Sequence, residues 1–311
     1  MEKFVWFGSV ACLTAHAMPD TPDASPPAQS RRIRALRADD LKRGLELSTE
    51  AGWNQTEADW QWLLENCRGY GVELPGFGLV GTTMAWEPEP EESWINMVLV
   101  TEPCRGRGLA RDLMQACLRD IRQEGRRALL DASDLGEPVY RKLGFSGSER
   151  IVRLMLDKHV ASSAAPMPEL KAMKAGDLDR VVALDRAVAG INRAALLRHL
   201  HARHPGAAWW LADEAGNMVG FSTGRDGRMA YQIGPIIAPD RAAAKHLLLR
   251  ALELTPGPVI LDVPERHVDW LAELRAMGFE AGRSFIRMGL DDARWATDWS
   301  RYYAIVGPDL T

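Results

Sequence analysis

Cysteine is scarce in this sequence. The 311 residues hold 4 cysteines, at Cys12, Cys67, Cys104 and Cys117, with no C-x-x-C pair and no histidine at ligand spacing. A disulfide scaffold or a zinc cluster is thereby set aside, no metal is expected, and reduced thiols point to a cytoplasmic protein. Cys117 falls on an apolar helix face, where core packing accounts for it. No run reaches the ~18–20 apolar residues that span a bilayer. Charge of one sign is lacking too. The 38 Lys and Arg against 42 Asp and Glu leave a net charge of -4, which offers no footprint for nucleic acid or an anionic membrane as partner. Both glycine fingerprints of nucleotide phosphate binding are missing. From Gly106 the chain runs G-R-G-L-A-R rather than G-x-G-x-x-G, and no G-K-[ST] closes a P-loop.

What is present is ordinary globular composition, 46% hydrophobic and 26% charged, over a length that predicts two domains of roughly 140–150 residues. The N-terminus stands apart. Met1-Glu2-Lys3 precedes an apolar run from Phe4 to Ala15, and a Pro/Ser/Asp-rich stretch follows Met18. The composition of residues 1–30 predicts a disordered leader. Its first 17 residues are expected to be a non-native or misassigned upstream start, with an export signal as the alternative.

Ordered sequence is expected from Arg31, as an alternating strand-like run to Leu36. A helix carrying Leu41, Leu45 and Leu47 follows, then a second that opens on Thr56-Glu57-Ala58-Asp59, at capping-box spacing. In that second helix Trp60, Leu63, Leu64 and Cys67 recur at helical spacing. Strands are predicted at 77–86 and 94–100, and an amphipathic helix carries Leu109, Leu113, Cys117 and Ile121. A short strand at 129–132, a short helix at 138–143 and a strand at 151–156 complete the unit.

Residues 158–167 are rich in small residues and proline and predict a linker. Beyond it the pattern repeats. Val80-Gly81 is echoed by Val219-Gly220, Leu130-Asp131 by Leu261-Asp262, Leu143-Gly144-Phe145 by Met277-Gly278-Phe279, and Arg153-Leu154 by Arg287-Met288. Four ordered echoes at nearly constant offset indicate an internal duplication, with domains at 31–157 and 168–311.

The chemistry concentrates where the buried strand ending at Val100 enters the amphipathic helix. Gly106 and Gly108 permit a tight turn without Cβ atoms in the way of a ligand. Backbone N–H groups at the helix start would gather at one concavity, where the helix dipole favours an anion. Arg105, Arg107 and Arg111 add positive charge there. The segment from Arg105 to Ala110 resembles the Q/R-x-x-G-x-G/A signature of the GNAT acetyltransferase superfamily, with Arg105 first, Gly108 fourth and Ala110 sixth. Val139-Tyr140-Arg141-Lys142-Leu143-Gly144-Phe145 resembles that superfamily's Y-x-K-x-G-F run. Ala51-Gly52-Trp53-Asn54-Gln55-Thr56, Asp59-Trp60, Ile233-Gly234-Pro235 and the final Tyr303–Gly307 stretch resemble a tandem subgroup with a diverged second domain.

The resemblance implies an α/β fold of the α+β type: two tandem units, each a mixed twisted sheet flanked by helices. It implies acetyl transfer from acetyl-CoA to a primary amine. Val98, Leu99 and Val100 would pair with the pantetheine arm, and the amides of Arg105, Gly106, Arg107, Gly108, Leu109 and Ala110, with Arg111 beside them, would hold the pyrophosphate. A backbone N–H near Val98 would stabilise the oxyanion. Tyr140 matches the position of a general acid for the departing thiolate; packing of the short helix is its alternative role. A base is not identified. Trp94 and Asn96 occupy the region where relatives carry a carboxylate, leaving Asp59, Asp131, Glu92 or a chain of waters. Trp53, Asn54, Asp59 and Asp131 are the candidate substrate-binding residues. The second copy has Pro239-Asp240-Arg241-Ala242-Ala243-Ala244 opposite the glycine turn, so it is expected to be non-catalytic. The acceptor expected is a small-molecule amine, with a protein lysine or N-terminal amine, or a decayed acetyl-CoA sensor, as alternatives. A homodimer is compatible with all of these.

Overall fold

The computed structural model describes residues 31–157, 169–255 and 257–310. The expected leader at 1–30 and linker at 158–167 lie outside those residues.

The first half runs β1 (Arg32–Ala35), α1 (Leu41–Glu50), α2 (Glu57–Asn66), β2 (Cys67–Leu74), β3 (Gly78–Glu89), β4 (Glu92–Val100), α3 (Leu109–Gln123), β5 (Arg127–Ser133), α4 (Glu137–Lys142) and β6 (Phe145–Leu156). The second half repeats that order. It runs β7 (Leu170–Ala172), α5 (Leu178–Ala189), α6 (Ala194–Arg203), β8 (Trp209–Ala212), β9 (Met218–Arg225) and β10 (Tyr231–Ile237). Then come α7 (Arg241–Glu253), β11 (Val259–Pro264), α8 (Val268–Ala276) and β12 (Glu280–Leu290), and β13 (Tyr302–Ala304) is added at the end. The fold is α/β, and the element order confirms two copies of one unit. Local chemistry explains the helix starts. Thr56 Oγ1 accepts from Asp59 N at 3.4 Å while the Asp59 carboxylate accepts from Thr56 N at 2.8 Å, a closed capping box. Helix α3 buries Leu109, Leu113, Met114, Cys117, Leu118 and Ile121 as one stripe.

The strands of both halves join one 13-stranded sheet in the order β1-β2-β3-β4-β5-β12-β6-β11-β10-β9-β8-β7, with β13 on β10. The last strands of the halves have traded places. Strand β12 lies between β5 and β6, and β6 lies between β12 and β11. The exchange is pinned by two reciprocal buried ion pairs. Arg287 on β12 faces Asp131 on β5, Nε and Nη2 each 3.0 Å from a carboxylate oxygen. Arg153 on β6 faces Asp262 on β11 at 2.8 and 2.7 Å. The repeated Asp and Arg positions of the sequence therefore pair crosswise between halves rather than within each.

One hydrophobic cluster gathers α1 and α2 together with α5 and α6, around Trp60, Trp94, Phe285 and Trp295. The alternating residue Ile95 joins a separate cluster under α3 and α4, and α7 and α8 cover a third. Strand β2 is absent from the sequence-based expectation: Cys67 opens it instead of closing α2. The last strand of the first half also begins earlier, at Phe145 rather than Ile151.

Candidate active site

Parallel strands β4 and β5 pair only from Glu92 to Trp94. Past that point β4 and β5 no longer pair, while β5 keeps β12 on its other edge through Ser133, and the β4 edge facing β5 is left open. A bulge marks the opening. Met97 takes φ 49, the register against β3 shifts between Thr82 and Met84, and Thr82 Oγ1 donates to the Met97 carbonyl at 2.8 Å. Val98, Leu99 and Val100 continue the open edge.

The turn into α3 follows. Gly106 and Gly108 have φ of 76 and 77, left-handed values that a Cβ disfavours. Gly108 is the N-cap and offers no side chain to the helix. The first backbone bond of the helix is Asp112 N to the Gly108 carbonyl at 3.1 Å, and the amides from Gly106 to Arg111 have no acceptor among the described residues. Leu109 and Ala110 lie inside this row. Arg111 beside it has a side chain 62% exposed, Arg105 is held by its Nε on the Val100 carbonyl at 3.0 Å, and Arg107 by the Pro103 carbonyl at 3.2 Å. An uncapped helix end, open space over Gly106 and three guanidiniums fit a diphosphate.

Tyr140 on α4 is buried, with its ring 6.1 Å from that of Phe145. Gly136 makes room for it, since a Cβ there would come within 2.7 Å of Tyr140 Cε2. Burial pushes the phenol well above its ordinary pKa. Its hydroxyl has no hydrogen-bond partner among the described residues.

The other sequence-predicted residues meet partners in the second half. Trp53 is half-buried against the shared cluster, and its carbonyl accepts from Arg228 at 3.1 Å. The Asn54 side chain is held by three bonds: Nδ2 donates to the Ala230 carbonyl at 2.9 Å, and Oδ1 accepts from Met229 N and Ala230 N at 2.9 and 3.1 Å. Asp59 is gripped by Arg203 at 2.6 Å and Arg225 at 2.8 Å. Burial pushes its carboxyl up, but the two guanidiniums outweigh that and hold it below the usual range. Asp131 is wholly buried against Arg287; burial raises its pKa against the pull of that guanidinium. Glu92, at the closed end of β4, accepts from Trp295 Nε1 at 2.8 Å and contacts Arg127, and burial raises it as well. Each of the three candidate bases is thus engaged by a guanidinium: Asp59 by Arg203 and Arg225, Asp131 by Arg287 and Glu92 by Arg127. Sequence reasoning missed Gln55, Arg225 and Asp309, which meet Asn96 in a buried polar cluster beside Asp59.

The equivalent place in the second half is filled by the chain itself. Strands β10 and β11 pair only at Tyr231–Gln232 with Val259–Ile260. Strand β13 then pairs antiparallel with β10, Ala304 opposite Ile236 and Tyr302 opposite Ile237, and Ile305 N donates to the Asp262 carbonyl at 2.8 Å. At the start of α7, Asp240 Oδ1 accepts from Ala243 N at 2.8 Å. A side-chain carboxylate sits where the first half leaves its amides free.

Residues 79–153 and 181–304 each match a family model described as an acetyltransferase (GNAT) domain. An uncharacterized N-acetyltransferase, YitH of Bacillus subtilis, is 24% identical over 76% of this chain and 83% of its own length. Holothin acyltransferase of a Pseudoalteromonas species is 28% identical over 61% of this chain and 64% of its own. Among solved structures, a putative acetyltransferase from Pyrococcus horikoshii superimposes with a TM-score of 0.74 at 19% identity, over 95% of this chain and 99% of that one. A tandem GNAT protein from the clavulanic acid biosynthesis pathway gives 0.63 at 17% identity, over 85% and 99%.

Proposed function

We propose that this chain, which belongs to the GNAT acetyltransferase superfamily and carries two copies of its fold in tandem, transfers an acetyl group from acetyl-CoA to the primary amine of a small molecule in the cytoplasm. Catalysis belongs to the first half. The observation that carries this is the contrast between halves: the strand opening and helix end are free in the first and filled by β13 and Asp240 in the second.

Acetyl-CoA supplies the activated acetyl thioester. The amides from Gly106 to Arg111 hold its diphosphate, aided by Arg105, Arg107 and Arg111, and the open edge at Val98–Val100 accepts the pantetheine arm as an added strand. A β4 amide at the bulge, near Val98, donates to the oxygen that gains charge as the amine attacks. The C–N bond forms as the C–S bond breaks, and Tyr140 gives its proton to the leaving sulfur. With Asp59, Asp131 and Glu92 all engaged, the ammonium proton departs through water. A small acceptor is favoured because the C-terminal segment through Asp309 closes over Asn96 and Gln55. One relative, too, is named for the acylation of holothin rather than of a protein.

The test is thiol release from acetyl-CoA with a panel of primary amines. Turnover with a small amine, lost in Gly108→Asp, is expected; turnover with no amine, or with peptides alone, overturns the reading. Aspartate tolerates the left-handed conformation better than most residues, so this variant should fold while placing a carboxylate where the diphosphate docks.

A further inference from the structure

The peptide between Arg107 and Gly108 lies within the glycine turn, and its own backbone does not fix which way it faces. Glycine takes positive and negative φ about equally readily, so a half-turn of this peptide, carbonyl for N–H, is open to the chain. An anion is held in one orientation and repelled in the other. A side chain 76 residues earlier sets the choice. Arg31, which leads into β1, donates from Nη1 to the Arg107 carbonyl at 3.3 Å. The peptide is trans, so its carbonyl and the N–H of Gly108 point in opposite directions. Anchoring the carbonyl on Arg31 therefore fixes the Gly108 N–H, one of the amides without an acceptor among the described residues, on the opposite side.

The same guanidinium meets an acidic group that the mechanism above does not use. Asp112 sits in the first turn of α3, where the helix dipole favours a carboxylate but an arriving diphosphate is repelled by it. Arg31 Nη1 pairs with Asp112 Oδ2, and Arg111 Nε lies 3.8 Å from Asp112 Oδ1. The Arg31 and Asp112 side chains are 26% and 22% exposed, so solvent screens this pair less than one at the open surface. Both guanidiniums converge on the turn: a Cβ on Gly108 would lie 3.4 Å from Arg111 Nη2 and 3.9 Å from Arg31 Nη1. Arg111 and Asp112 alone cancel in charge. Arg31 makes the trio positive.

We propose that Arg31 is a positioning residue of the diphosphate cradle, fixing the Arg107–Gly108 peptide with its N–H available to the anion and offsetting Asp112. The inference rests on the acetyl-CoA reading above, and isothermal titration of the full-length protein separates the two. A wild-type protein that takes up no CoA removes that reading and the inference with it. A wild type that binds, with Arg31→Met binding equally well, removes the inference alone. The expected result is a Kd about tenfold weaker in Arg31→Met, the scale of one lost hydrogen bond to a charged group. The loss should be the same for CoA and for dephospho-CoA, which lacks only the ribose 3′-phosphate, because both share the diphosphate. A loss confined to CoA would move Arg31 to the 3′-phosphate and overturn the proposal. Arg31→Lys keeps the charge and a donor and should recover most of the affinity, and Asp112→Asn added to Arg31→Met should recover part of it. In turnover the acetyl-CoA KM should rise with kcat and the amine KM unchanged. A lysine variant as weak as the methionine one, or a fall in kcat with a rise in both KM values, would mark a general disruption of the fold and overturn the proposal.

Discussion

Tyr140 shows what burial does to a single group. Enclosed beside Phe145, its phenol is raised above the ordinary value near 10, so the proton that the proposed mechanism asks it to donate stays in place across the working pH range. Tyr140→Phe should lower kcat about a hundredfold, the scale of one lost proton transfer, with the acetyl-CoA Kd unchanged. The wild-type pH–rate profile should show no loss of activity from this group below about pH 10. Equal kcat in the variant would assign Tyr140 to packing. The turn at Arg105, Gly106 and Gly108 and the short helix of Tyr140 were legible because their signals lie in contiguous sequence: a turn, a helix start and a tyrosine at fixed spacing. Asn54, Asp59 and Asp131 were not. Their partners Ala230, Arg203 and Arg287 lie 176, 144 and 156 residues away, beyond any local pattern. Asp309 lies still farther away, 254 and 213 residues from Gln55 and Asn96.

At the scale of elements, the duplication was plain in the sequence but the exchange of β6 and β12 was not. Echoed residues reveal that two units exist, whereas which sheet a strand enters depends on pairing energies across the whole molecule. Strand β2 escaped because Gly69 and Gly71 interrupt its alternation; they make room for Leu36 and Leu79. The crosswise pairs Asp131–Arg287 and Arg153–Asp262 give the exchange a measurable cost. Arg287→Met strands the buried Asp131 carboxylate and should destabilise by about 3–5 kcal/mol, while the double replacement Asp131→Leu with Arg287→Met recovers most of the loss. Denaturant unfolding of the three proteins checks this. A single variant as stable as the double would show that the pair does not hold the strands together.

For the whole molecule, the two halves share one element order and exchange a strand, yet differ at the equivalent opening. The first keeps its strand opening and an uncapped glycine turn. The second fills the same opening with its C-terminal strand, caps its helix with Asp240, and extends Asp309 into the first half. No helix of the described residues is long and apolar enough to cross a membrane. The central claim is that one chain offers one diphosphate cradle, not two and not none. Isothermal titration of the full-length protein with acetyl-CoA tests it most directly. One molecule bound per chain, abolished by Gly108→Asp and untouched by Asp240→Gly, is the predicted result; two molecules per chain, or no heat of binding at millimolar acetyl-CoA, would contradict it.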